Sequence, residues 1–118
     1  MKSAADLVAD AKQRVREVSP EDVRAMRDRG EPVTLVDVRE PNEWAMGHLP
    51  GAVPIPRGTL EFGAEARVPR DARVVVYCAA GGRSALAADT LQAMGYTDVV
   101  SMRGGIQGWA DAGGEIDA

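Results

Sequence analysis

The chain has 118 residues, of which 45% are hydrophobic and 27% charged, and its 14 basic and 18 acidic residues give a formal net charge of −4. This composition is typical of a folded single domain and excludes a disordered chain. The sequence pI of about 4.9 argues against a nucleic-acid partner, since nucleic-acid-binding domains are usually basic. No apolar run approaches the roughly 18 residues of a membrane-spanning helix, so we expect no membrane partner.

The predicted helices and strands alternate along the chain. In order they are a helix at 4–14, a strand at 15–18, a helix at 19–30, a strand at 33–38, a helical turn at 41–46, a strand at 52–55, a strand at 73–78, a helix at 84–94, a strand at 97–102 and a helix at 105–112. Between them, 57–71 is the longest irregular stretch, with a turn of helix near Leu60 and Phe62. The last residues, 113–118, are expected to form a solvated acidic tail.

Local signals support several of these elements. Ser19 is a good N-cap, Pro20 suits the first helical position, and Gly30 suits a helix end. The β-branched runs at 33–38 and 73–78 are typical of strands buried on both faces of a parallel sheet. Strands that alternate with helices through short connections predict an α/β domain with a mainly parallel sheet.

The composition also limits metal and cofactor chemistry. Cys78 is the only cysteine and His48 the only histidine, which excludes an intramolecular disulfide and a paired Cys or His zinc site. No G-x-G-x-x-G or lysine-containing phosphate loop is present, so we expect no metal and no cofactor. The first ten residues lack the apolar region of a secretory signal, and the expected location is therefore the cytoplasm.

Open parallel sheets bind ligands at the carboxyl ends of their strands. The residues that the sequence delivers to that edge are Asp37, Arg39, Arg57, Cys78, Arg83 and Arg103. One thiol among several arginines predicts an anion site that contains a nucleophile, although the arginines could equally be ordinary surface charges. Arg39 is close to Glu40 and Glu43 in the sequence, which favours a structural ion pair. Arg83 is the preferred anion-binding candidate because a short loop fixes its distance from Cys78.

A lone cysteine after an apolar strand is most often a small core residue. The residues that follow favour a reactive thiol instead: Ala79, Ala80, Gly81, Gly82, Arg83 and Ser84. Small residues let successive backbone N–H groups converge on one point, and the helix that follows adds positive potential at its N-terminus. We therefore expect Cys78 to have a lowered pKa and to act as a thiolate. His48 is expected to be structural, since no base is then required.

Four residues separate Cys78 from Arg83, one fewer than in the C-x5-R loop of cysteine-dependent phosphatases. A shorter loop encloses a smaller group, and a terminal sulfur on the cysteine fits that size better than a phosphoryl group.

Three segments resemble the rhodanese-like family, in particular its single-domain sulfurtransferases. They are 35–52, with its Asp-Val-Arg-Glu and Gly-His-Leu-Pro-Gly-Ala motifs; the loop 77–84; and 95–109, with its Gly-Gly-Ile-Gln-Gly-Trp motif. The resemblance implies a five-stranded parallel sheet flanked by helices over residues 18–118, preceded by an N-terminal helical extension at 1–17.

The resemblance also implies roles for individual residues. Cys78 would accept sulfur, the loop from Ala79 to Ser84 would bind the substrate or persulfide, Gly104 and Gly105 would border the site, and Asp37 would support it. From its position at a strand end, Arg57 is a further candidate for substrate binding, and Arg39 and Arg103 are further supporting candidates. The expected activity is transfer of sulfane sulfur from thiosulfate or another persulfide donor to a thiol, cyanide or protein acceptor. Loops tuned for thiosulfate often carry further basic residues, whereas Ala79 and Ala80 are neutral.

Two alternatives remain open from the sequence. The same fold can serve as a non-catalytic sulfur carrier or protein-docking module. Cys78 could also serve a phosphatase or arsenate reductase, which the loop length and the lack of a second thiol oppose. The expected partners are a small anionic sulfur donor and a thiol or protein acceptor, with the chain a monomer or weak dimer.

Overall fold

The computed structural model describes all residues, 1–118, which form six α-helices, five β-strands and one 3-10 turn. In chain order the elements are α1 Ala4–Lys12, β1 Arg16–Val18, α2 Pro20–Asp28, β2 Thr34–Asp37, α3 Pro41–Ala45, β3 Val53–Pro54, the 3-10 turn Arg57–Thr59, α4 Leu60–Arg67, β4 Val74–Tyr77, α5 Gly82–Ala93, β5 Val99–Met102 and α6 Gly105–Asp111.

All five strands belong to one parallel sheet in the order β1-β5-β4-β2-β3. The strand β4 is central, and every residue from Val74 to Tyr77 is fully buried. A central strand of a parallel sheet is covered by helices on both faces, which explains the unbroken run of valines. The predicted α/β fold with a five-stranded parallel sheet is confirmed.

Two hydrophobic cores lie on the two faces of the sheet. One contains Cys78 together with residues of α4 and α5, such as Leu60 and Leu91. The other contains Tyr77 together with residues of α2 and α6, such as Val23 and Trp109. Cys78 therefore extends from the central strand toward the α5 side.

The N-terminal helix α1 packs on α5 rather than lying apart from the domain. Ala11 is buried, and the Arg14 guanidinium donates two hydrogen bonds to the Asp89 carboxylate, at 2.9 and 2.7 Å. Val8 lies beside Gly82, the first residue of α5, because a Cβ at Gly82 would be 3.8 Å from Val8 Cγ2. The helix thus reaches the end of α5 that follows Cys78. Helix α5 is the longest in the chain, with 12 residues, and no helix is long and apolar enough to cross a membrane.

The stretch predicted to be mainly irregular holds more helix than one turn. Residues 57–59 form the 3-10 turn, and α4 continues from it for eight residues. Its buried side is made of Leu60 and the small Ala64, while Phe62 is 83% exposed, so the usual stripe of large apolar residues is missing. Gly63 is needed for close packing, since a Cβ there would lie 2.6 Å from Ile55 Cγ2.

The C-terminal segment is exposed at residues 115–118, as predicted, but it is attached to the domain rather than free. His48 and Asp117 exchange two backbone hydrogen bonds, both at 2.8 Å, and Trp109 Nε1 donates to the Glu115 carbonyl at 2.8 Å. The segment contributes only backbone groups to these contacts, so its acidic side chains, which suggested a free tail, gave no sign of them.

Helix α6 begins directly against the end of β4. The backbone N–H of Ile106 donates to the Cys78 carbonyl at 2.9 Å, and that of Gln107 donates to the Ala79 carbonyl at 3.2 Å. Gly105, at φ +58°, makes this approach possible because a Cβ there would lie 2.3 Å from the Cys78 carbonyl oxygen. The start of α6 therefore fixes the backbone on which the Cys78 loop is built.

We predict that Gly105→Ala lowers the free energy of unfolding by about 3 kcal/mol, from backbone strain and the clash with Cys78 together. Gly30→Ala is the matched control, because Gly30 also has a positive φ, of +70°, but nothing lies within 4 Å of the added Cβ. In that control the free energy of unfolding should fall by only about 1 kcal/mol, from backbone strain alone. Urea denaturation of both variants measures the difference, and equal losses would contradict the proposed contact.

Candidate active site

Cys78 follows β4 directly, and its sulfur is enclosed by the loop that leads into α5. The backbone N–H groups of Gly81 and Ser84 donate to Cys78 Sγ at 3.1 and 3.4 Å, and Ser84 Oγ lies 3.5 Å from it. Gly81 has φ +111°, a conformation that a side chain would strain. The loop therefore presents several hydrogen-bond donors to one sulfur atom.

These donors determine the ionisation of Cys78. Burial alone would raise the pKa of the thiol. Hydrogen bonds from the Ser84 hydroxyl and from the backbone N–H groups of Ser84, Gly81 and Ala80 outweigh it, so the pKa lies below its ordinary value. The start of α5 adds positive potential to the same place. The sulfur is thus prepared to carry negative charge while it remains buried.

Ser84 is held in position by a residue that the sequence did not suggest. While Cys78 is a protonated thiol, the Ser84 hydroxyl donates to the Gly81 carbonyl at 3.2 Å, and it lies 2.8 Å from Ser101 Oγ on β5. Both serines are fully buried. When the Ser84 hydroxyl donates to a thiolate at Cys78, Ser101 can donate to Ser84 in turn. Ser101 is the one polar residue in the buried strand β5, and that isolation was the signal available in the sequence.

Arg83 is paired with a residue that we did not place in the site, Glu43 at the start of α3. Two hydrogen bonds join the guanidinium to the carboxylate, at 2.7 and 3.0 Å. These bonds to Arg83, with one from the backbone N–H of Glu40, lower the pKa of Glu43 to about 2. The one cation of the loop therefore lies beside a permanent anion.

The end of β2 is braced by a buried ion pair. Arg39 and Asp37 form it, with Nη2 2.8 Å from Oδ2, and Arg39 also donates to the Gly47 carbonyl at 2.7 Å. Asp37 is in register with Tyr77, the residue before Cys78. The partner of Arg39 is thus Asp37, not Glu40 or Glu43. The pair supports the strand end beside Cys78 and the turn after α3.

The other two arginines considered for the site make contacts elsewhere. Arg57 donates to Thr90 Oγ1 at 3.2 Å and lies 3.7 Å from Glu61. Arg103 is exposed, and its backbone N–H donates to the Val18 carbonyl at 2.8 Å. Neither side chain has a polar contact with the Cys78 loop. His48 stacks on Trp44 with the ring centroids 3.5 Å apart, a packing role.

A cavity of about 230 Å³ lies away from Cys78, between α2, α6 and the C-terminal segment. Its lining residues are Arg24, Arg27, Asp28, Pro50, Trp109 and Glu115, none of them from the Cys78 loop. No group of three or more His, Cys, Asp and Glu residues is arranged to hold a metal ion.

Comparison with known proteins agrees with the fold. Residues 19–112 match the family described as the rhodanese-like domain. This chain belongs to that family. A sulfurtransferase of Allochromatium vinosum is 37% identical to this rhodanese-like domain over 99 residues, which are 84% of this chain and 92% of that protein.

Two further similar proteins differ in how much of their own length this chain covers. The probable adenylyltransferase/sulfurtransferase MoeZ of Mycobacterium tuberculosis is 38% identical over 79% of this chain, which spans only 24% of that protein's length. The structure of a Rhodopseudomonas palustris protein of unknown function, described as a possible tyrosine phosphatase, aligns with a TM-score of 0.91 at 35% identity. The alignment covers 99% of this chain and 96% of that one, so it includes the region of α1.

We predict that Ser84→Ala raises the pKa of Cys78, because it removes the hydroxyl donor to the thiolate and leaves the burial unchanged. Ser101→Ala is the matched control, since it removes a buried hydroxyl that does not touch the sulfur, and its shift should be smaller. Ultraviolet absorbance of the thiolate against pH gives both values, with no second cysteine to interfere. A titration midpoint in Ser84→Ala at or below that of the wild type would contradict the assignment.

Proposed function

We propose that this rhodanese-like domain is a sulfurtransferase that carries sulfane sulfur as a persulfide on Cys78. The observation that supports this most strongly is the convergence of the Gly81 and Ser84 N–H groups and the Ser84 hydroxyl on one buried sulfur. Such donors stabilise negative charge where it develops, as an oxyanion hole does for oxygen.

In the first half-reaction the Cys78 thiolate attacks the outer sulfur of a donor. With thiosulfate, the new bond joins Cys78 Sγ to that sulfur, the sulfur–sulfur bond of thiosulfate breaks, and its electron pair leaves with sulfite. The enzyme then holds a persulfide that carries the single negative charge of the former thiolate. No proton has to be supplied because sulfite leaves as an anion, which agrees with a site that has no histidine beside the sulfur.

In the second half-reaction an acceptor removes the outer sulfur. A thiolate or cyanide attacks it, the bond to Cys78 Sγ breaks, and the thiolate is regenerated. The same loop donors favour this step, because they stabilise the departing thiolate of Cys78. The same loop donors therefore serve both half-reactions.

Phosphatase chemistry is less well supported than sulfur transfer. A phosphoryl group brings three oxygens into the loop, and the loop has one residue fewer between its cysteine and arginine than phosphatases use. Arg83, the residue that would clamp those oxygens, is already bonded through two nitrogens to Glu43. We also propose a cytoplasmic location, since a reducing compartment keeps Cys78 available as a thiol.

The test is the intact mass of the protein after incubation with a sulfane sulfur donor. We expect a gain of one sulfur atom with thiosulfate or an organic persulfide, reversed by cyanide. Cys78→Ala should gain nothing, and because the chain has no other cysteine, that control locates the sulfur without ambiguity. Absence of the gain with thiosulfate, organic persulfide and polysulfide alike would overturn the proposal.

Turnover separates the enzyme from a sulfur carrier. Repeated transfer to cyanide or small thiols supports an enzyme, whereas a persulfide that is stable to them but is discharged by a protein thiol supports a carrier. Hydrolysis of p-nitrophenyl phosphate that is lost in Cys78→Ala would favour a phosphatase instead.

A further inference from the structure

The Cys78 loop has an unusual charge balance for a site that would accept an anion. Arg83 is its only basic residue between Cys78 and Ser84. The carboxylate of Glu43 bonds to both terminal nitrogens of that guanidinium, so the positive charge available to a substrate is largely cancelled. Glu40 is close enough to act electrostatically on Arg83 as well.

The pair is partly exposed at the loop that encloses Cys78. The side chains of Arg83 and Glu43 are 38% and 28% exposed, whereas Cys78 beside them is buried. The other basic residues considered for the site do not restore the charge. Arg39 is neutralised by Asp37. Neither Arg57 nor Arg103 has a side-chain polar contact with the loop. With Arg83 paired to Glu43, a thiolate at Cys78 then leaves these three groups with a net negative charge.

We propose that Glu43 determines the donor specificity of this site by neutralising Arg83, and so selects donors with at most one negative charge over doubly charged thiosulfate. The inference rests on the proposed sulfurtransferase function. Its physical basis is that repulsion by a nearby carboxylate acts about twice as strongly on a dianion as on a monoanion. Organic persulfides, with one negative charge or none, are the substrate class that the site favours.

The first test compares two donors on the wild type and Glu43→Gln. In the variant we expect kcat/KM for 2-hydroxyethyl persulfide to rise about 2- to 3-fold and that for thiosulfate about 4- to 9-fold, since twice the repulsion energy squares the factor. Glutamine keeps the shape and one acceptor oxygen, so a merely structural role of Glu43 would lower both values together. Glu65→Gln is the matched control, because it removes the same charge from α4, where Glu65 faces Arg70, and should change neither value.

A second measurement is independent of sulfur transfer. Iodoacetate and iodoacetamide have nearly the same shape and differ by one negative charge, so the ratio of their alkylation rates at Cys78 reports the local potential. The rate with iodoacetate divided by the rate with iodoacetamide should rise about 2- to 3-fold in Glu43→Gln, and this rise should be smaller at high salt. Because a changed thiol pKa affects both reagents equally, it cancels in the ratio.

The two measurements separate the possible failures. An unchanged alkylation ratio, or an equal gain with both sulfur donors, would overturn the role assigned to Glu43 even if sulfur transfer is confirmed. If the wild type accepts sulfur from no donor, the proposed function fails, and the donor specificity fails with it, even where the alkylation ratio shifts.

Discussion

The structure depends on a buried sulfur that is surrounded by hydrogen-bond donors. A thiolate removed from water would be strongly disfavoured without them, and the pKa of Cys78 is lowered only because the loop donors outweigh burial. The loop can supply those donors because Gly81 adopts a positive φ and because α6 holds the carbonyls of Cys78 and Ala79 from the other side. The carbonyls of this short segment thus accept hydrogen bonds from α6, whereas its N–H groups donate to the sulfur of Cys78.

The charges around this sulfur are arranged in pairs. Asp37 and Arg39 neutralise each other in the interior beside Tyr77, and Glu43 and Arg83 do so nearer the surface. The first pair costs desolvation and is stable only because both groups keep several hydrogen bonds. The second leaves the loop without a free cation. The site therefore relies on neutral donors more than on formal positive charge to hold a sulfur anion.

Much of the fold could be predicted from the sequence because its signals are local. The valines of β4 identify the strand directly, and Ser19 followed by Pro20 identifies the start of α2. Helix α4 was largely missed because Ala64 and Gly63 pack closely where large apolar residues are usual. At the site, the loop from Cys78 to Ser84 is continuous in the chain, and its donors could be anticipated.

The partners that come from distant segments could not be anticipated in the same way. Glu43 lies 40 residues before Arg83, and Ser101 lies 17 residues after Ser84. The sequence spacing of neither pair indicates that its members are in contact. The contacts arise only because β2, β4 and β5 lie side by side in the parallel sheet. The pairing of Arg83 with Glu43 is a contact of this kind, since the carboxylate is supplied by a different helix.

The most direct test follows the backbone amide signals of Gly81 and Ser84 by nuclear magnetic resonance while the pH is varied. We predict that both proton signals move downfield as Cys78 ionises, with one shared midpoint below the pKa of an unperturbed thiol. Amide signals that do not respond to ionisation of Cys78, or a midpoint at or above the ordinary thiol value, would contradict the claim that the loop is built to hold a sulfur anion.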